Sequence, residues 1–193
     1  MRLHQTLGER RMEHVLGTEQ AAVRLARRFG VDVPGAAAGA LLHDCAKSMD
    51  DRALLDYAGR LGLEVDACLR ARPSLLHGPV GSAVAGEQYG IEDPAILQAI
   101  ACHTTGRVGM SALDKVIYLA DVIERSRSYP GVRELRQMAE RDLDRAVLMA
   151  MDQAIMVVLR RKELLLTQTV EARNWLMAQG VSGGLPPGED GAR

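Results

Sequence analysis

Four histidines and two aspartates carry the chemical interest of this 193-residue chain: His14, His43, His77, His103, Asp44 and Asp121. The chain holds only five histidines, so four of them fall in one ordered set. Imidazole and carboxylate together suit Fe, Mn, Co or Zn and need no thiolate. Two such metals about 3.5–4 Å apart can hold a hydroxide and stabilise a phosphoryl transition state, so no serine or cysteine nucleophile is required. The Asp44 carboxylate could bridge the two. His14, His43 and Asp121 could complete one position, and His77 and His103 the other, leaving room there for phosphate oxygens and water.

Successive members are separated by 29, 1, 33, 26 and 18 residues. Each long gap can hold a helix and a connection, so the six could converge from different helix ends, although spacing alone does not prove it. Adjacent His43 and Asp44 diverge on a regular helix, so their convergence requires a helix end or a distortion. Alternatives stand beside these roles. His43-Asp44 could be a hydrogen-bonded helix end, Asp121 could pair with an arginine, and His14 alone would be a structural histidine.

The elements that must position these residues read as helices. A helical period runs over Leu7–Phe29, interrupted by Gly17 as a bend or a close contact and ended by Gly30. Pro34 opens a second helix, with a thin face at Gly35-Ala36-Ala37-Ala38-Gly39-Ala40, that ends near His43-Asp44. Asp51–Leu61 is a short helix, followed by a looser stretch through Pro73. Further helices cover Pro79–Tyr89 and Pro94 to about His103, the latter capped by Asp93. Ser111 and Asp114 have capping-box spacing ahead of the Asp121 helix. A short helix spans Val132–Glu140, and Leu143–Ala178 reads as one long C-terminal helix, straight or bent, that braces the domain or makes a subunit contact. The expectation is an all-α bundle forming one domain over 1–179, with a mobile tail over 180–193.

Composition narrows the function. Charged residues are 25%, the net charge is −1 and aromatics are 3%, which argues against general nucleic-acid or lipid attraction and against base-stacking arrays. The three cysteines form no disulfide framework and read as reduced. With neither a cleavable signal nor a long uncharged apolar segment, a cytoplasmic protein is expected. Cys45 and Cys102 read as core packing rather than thiol chemistry, Trp175 as a packing anchor, and His4 as a surface residue.

LLHDCAK, preceded by His14, resembles the HD-domain phosphohydrolases. LLHGPVGSAVA, IACHTTGRVGMSALDKVIYLADVIE and RSRSYPG narrow the resemblance to the YqeK-type family of bacterial HD proteins, from about Arg11 to Leu176. The resemblance implies an all-α HD-domain bundle with a dimetal centre, typically iron. It also implies symmetrical hydrolysis of diadenosine tetraphosphate and related dinucleoside polyphosphates to nucleoside diphosphates. Carried over by position, the six residues above are its metal ligands. Cys45 departs from the family pattern, in which an aromatic residue is common.

Lys47, one turn beyond the HD pair, is the first candidate for phosphate contact and catalysis, although it could be only a helix-end charge. Thr104, Arg107, Arg125 and Arg127 are further candidates for binding substrate. An HD hydrolase of mononucleotides or dNTPs and a noncatalytic nucleotide-binding protein are the competing readings. The long C-terminal helix leaves a homodimer open.

Overall fold

The computed structural model describes residues 8–181, and within them every regular element is helical. The order is α1 (Glu9–Phe29), α2 (Val33–Leu42), α3 (Asp51–Arg60), α4 (Ala67–Ala71), a 3₁₀ turn (Pro73–Leu76), α5 (His77–Tyr89), α6 (Pro94–Cys102), α7 (Ala112–Ile123), α8 (Val132–Ala139), α9 (Leu143–Arg160) and α10 (Thr167–Ala178). His4 and the expected tail from position 182 onward lie outside the described residues. No described helix is long and apolar enough to cross a membrane.

Short side chains start most helices where the sequence places them. Asp32, Asp50, Asp66, Asp93 and Asp142 each accept a backbone N–H at a helix N-terminus. Ser111 and Asp114 form the expected reciprocal box at the head of α7. Gly30 ends α1 in the left-handed conformation, at φ 66°.

Helix α7 is the axis of the bundle. Leu113, Val116, Ile117, Leu119, Ala120 and Ile123 are all buried, and α1, α2, α6 and α9 pack around them. The thin face of α2 works as expected: a Cβ on Gly39 would lie 3.3 Å from Ile117 Cδ1, so α2 can approach α7 closely. A second cluster, with Leu54, Tyr57, Leu76, Val80 and Val84, packs α3 against α5 and the 3₁₀ turn.

The structure corrects the C-terminal reading. Leu143–Ala178 is two helices, not one, separated at residues 161–166. Lys162 takes a left-handed φ of 54°, and the Glu163 N–H returns to the Val158 carbonyl. The connection is then tied down from outside. Arg72 pairs with Glu163, the Cys68 thiol donates to the Leu164 carbonyl and Leu166 is buried. Helix α10 turns back onto the bundle, and Gln168 Nε2 donates to Thr105 Oγ1 at 2.9 Å and to the Gly106 carbonyl at 2.7 Å. The stretch read as loose through Pro73 contains the short α4, and the 3₁₀ turn begins at its last residue.

Candidate metal centre

Three of the four histidines sit at helix ends. His43 closes α2, His103 closes α6, and His77 opens α5 directly after the 3₁₀ turn. Each Nδ1 lies against the carbonyl three residues back: Ala40 at 2.6 Å, Ile100 at 2.7 Å and Ser74 at 2.6 Å. One bond does two jobs. At His43 and His103 it engages a carbonyl of the last turn of the ending helix, and at all three it places the proton on Nδ1, so that the Nε2 lone pair faces the centre. His14 instead projects from the second turn of α1, and its Nδ1 lies 3.2 Å from Glu124 Oε1.

The chain leaves α2 through consecutive tight turns, with Cys45 N–H to Leu42, Lys47 N–H to Asp44 and Met49 N–H to Ala46. This tightening rotates successive side chains by more than an α-helix does. It provides the distortion that lets adjacent His43 and Asp44 reach one centre.

The six residues do converge. His14 Nε2 lies 3.3 Å from His43 Nε2 and 3.1 Å from Asp121 Oδ1. His77 Nε2 lies 3.1 Å from His103 Nε2. Asp44 stands between the two groups. Its Oδ2 is 3.8 and 3.7 Å from His14 and His43 Nε2, while its Oδ1 is 3.2 and 3.8 Å from His77 and His103 Nε2. Two sets of donor atoms, His14/His43/Asp121 and His43/Asp44/His103, are each close enough to hold one ion. The fit is chemical as well as geometric. Metal–ligand bonds of about 2.1 Å at right angles give ligand–ligand edges of about 3 Å. Inward-facing imidazole lone pairs at such separations call for a cation between them.

The electrostatics favour ligands over protons. Burial pushes His103 down to about 3, with His43 and His77 adding to the effect. Burial also lowers His43, although Asp121 and Asp44 oppose it. Both are therefore neutral near pH 7 and have no proton for a metal to displace. Burial works against the charge on Asp44, but the His77 hydrogen bond and the field of His43 outweigh it and hold the carboxyl well below its ordinary range. Asp121 is held low in the same way by His14, His43 and Arg127, against its own burial. At His14, burial opposes the charge, but the hydrogen bond and field of Asp121 and the hydrogen bond of Glu124 together outweigh it and raise the pKa.

Cations gather at the same place. Lys47 Nζ is 3.4 Å from both ring nitrogens of His77, and burial lowers its pKa. Arg11 Nη1 donates to Asp44 Oδ2 at 2.5 Å, and Arg127 Nη2 to Asp121 Oδ1. Thr104 Oγ1 lies 3.1 Å from His103 Nε2. The other two arginine candidates are elsewhere. Arg107 forks onto Asp114, with Nε and Nη2 at 2.9 and 2.7 Å from Oδ2, which ties the turn after His103 to the head of α7. Arg125 is exposed beyond α7 and makes no described bond to the six. Sequence reasoning missed Arg11 and Glu124. Arg11 lies three residues before His14 on the same helix face, which was a signal; Glu124 bonds to His14, 110 residues away, and gave none.

The thiols stand apart. Burial pushes Cys45 and Cys102 up to about 12, which makes both poor nucleophiles. The Cys45 thiol donates to the Gly81 carbonyl.

The pattern of the HD domain matches residues 11–126, a span that contains all six converging residues. The chain belongs to the HD-domain family. It is 36% identical over 174 residues to a symmetrical bis(5'-nucleosyl)-tetraphosphatase of Bacillus subtilis, covering 90% of this chain and 93% of that one. A protein of the same description from Halalkalibacterium halodurans is also 36% identical, covering 90% and 92%. A crystal structure of a predicted HD superfamily hydrolase involved in NAD metabolism from Clostridium acetobutylicum superposes with a TM-score of 0.89 at 41% identity, covering 92% of this chain and 94% of that one. This HD-domain protein is thus closely related to bacterial symmetrical tetraphosphatases over nearly its whole length.

Proposed function

We propose that this HD-domain protein hydrolyses diadenosine tetraphosphate and related dinucleoside polyphosphates symmetrically to nucleoside diphosphates, using a dimetal centre that contains iron. The split Asp44 carboxylate carries the reading, because each of its oxygens faces a different pair of histidines. The relatives that share nearly the full length of the chain bear the name of that activity. The nitrogen–oxygen donor set suits iron, and also Mn, Co or Zn.

Bound metal would supply Lewis-acid charge and lower the pKa of the attacking water. The chain's own residues do the rest. His14, His43 and Asp121 hold one side, His77 and His103 the other, and Asp44 joins them. Lys47, Arg11 and Arg127 ring the carboxylates and compensate the charge that grows on the phosphoryl and leaving-group oxygens. Thr104 offers a hydroxyl donor beside His77 and His103. Water attacks one of the two central phosphorus atoms and bonds to it through oxygen, its proton passes to solvent, and the bond from that phosphorus to the oxygen bridging the two central phosphorus atoms breaks, giving two nucleoside diphosphates.

The test is product analysis by anion-exchange chromatography, with anaerobic, ferrous-loaded protein and diadenosine tetraphosphate. ADP as the sole initial product, lost in Asp44→Ala, is the expected result. AMP plus ATP would overturn the symmetrical assignment. Turnover of mononucleotides alone would shift the substrate class. No turnover by folded, metallated protein would leave a binding role.

A further inference from the structure

His14 differs from its three companions in what stands behind it. His43, His77 and His103 each lean on a neutral backbone carbonyl. His14 leans on a carboxylate. Glu124 lies at the end of α7, 110 residues away in sequence, and its side chain is fully buried. The surroundings are built around it. The Ser126 N–H donates to Glu124 Oε2 at 2.6 Å, and the Ser126 hydroxyl to Oε1. A Cβ on Gly17, three residues beyond His14, would lie 2.7 Å from Glu124 Oε2. The glycine therefore leaves the space that the carboxylate fills, although glycine inside a helix costs about 1 kcal/mol relative to alanine. Arg136 of α8 fastens the segment by donating to the carbonyls of Ile123, Glu124 and Arg127.

A carboxylate that accepts the Nδ1 proton of an imidazole fixes the tautomer and increases the donor strength of Nε2 more than a carbonyl does. We propose that Glu124 is the positioning residue for His14, and that the Gly17–Glu124–Ser126 assembly selectively strengthens the metal position formed by His14, His43 and Asp121 over the one on the His77–His103 side. The inference rests on the metal-dependent reading above. Glu124 touches no reacting atom; it acts through His14.

The experiment is a Mn²⁺ titration of the metal-stripped full chain, in which free Mn²⁺ is read by electron paramagnetic resonance. Wild-type protein should show two unequal constants. Glu124→Gln keeps the shape but loses the charge, and its single acceptor oxygen cannot serve both the Oε1 partners, His14 and the Ser126 hydroxyl, and the Oε2 partner, the Ser126 N–H. It should weaken the tighter constant about 10–100-fold and the other by less than about threefold. Gly17→Ala should move the same constant in the same direction by crowding Oε2. Ser126→Ala, at an exposed residue, should weaken it less and carries the test if Glu124→Gln does not fold. Equal weakening of both constants, or no change in either, would overturn the assignment of Glu124. A wild-type protein that binds no metal would instead overturn the function proposed above.

Discussion

Gly78 is where the smallest change should do the most to the site. A Cβ there would meet the Ala101 carbonyl oxygen at 2.6 Å. Both atoms belong to helix backbones, so neither can swing aside. An ordinary contact is at least 3.4 Å, so α5 and α6 must separate by about 0.8 Å. Gly78 follows His77, and Ala101 lies two residues before His103, so the displaced surface carries both histidines on the Asp44 Oδ1 side. Overpacking costs about 1–3 kcal/mol, and alanine regains about 1 kcal/mol of helix propensity. The net loss in Gly78→Ala is therefore at most about 2 kcal/mol, or a fall in Tm of no more than about 8 °C. Activity should suffer far more, because a misplacement near 1 Å can cost about 100-fold. Gly59→Ala is the control: nothing lies within 4 Å of its Cβ, so activity should not change. ADP release from diadenosine tetraphosphate and thermal unfolding followed by circular dichroism give the two readings. Wild-type activity in folded Gly78→Ala would refute the claim that this helix contact sets the histidine geometry.

Arg107→Ala should lower stability by about 1–3 kcal/mol, because buried Asp114 loses its charged partner, while KM stays within about threefold of wild type; denaturant unfolding and steady-state kinetics check both, and a large rise in KM would return Arg107 to the substrate. Stability of the metal-stripped protein should decline with acidification. His103 is pushed down to about 3 when folded, below its unfolded value near 6.5. The unfolded state thus binds the extra proton, and the contribution of His103 is present above about 6.5 and is lost progressively as the pH falls toward 3. His43, also lowered, acts in the same sense, and the raised His14 opposes it. Thermal unfolding at pH 7.5, 6 and 5 checks this, and a flat Tm would contradict it.

Much of the bundle was legible because its signals are local. The helix starts at Asp93 and Ser111 and the stop at Gly30 depend on side chains within a few residues of the boundary, and all three appear as read. The break after Arg160 was not legible. Residues 161–166 (Arg-Lys-Glu-Leu-Leu-Leu) favour helix, and tertiary contacts from Arg72 and Cys68 accompany the left-handed turn at Lys162. Helix α4 was too short for a period to show. At the site, the types and order of the six residues were enough to suggest convergence. The division of the Asp44 oxygens between two histidine pairs was expected on chemical grounds, and the structure shows it. Glu124 was hidden because its value comes from His14, far away in sequence, and Gly17 was noted only as a bend or a close contact.

The clasp made by Gln168 has a consequence for the order of assembly. Synthesis runs from the N-terminus, so all six converging residues, the last at position 121, leave the ribosome before Gln168 does. The turn behind His103, which Gln168 pins through Thr105 and Gly106, therefore has only its Arg107–Asp114 tie when every ligand has been made. Helix α10, the last of the described helices in chain order, adds the second tie to that turn.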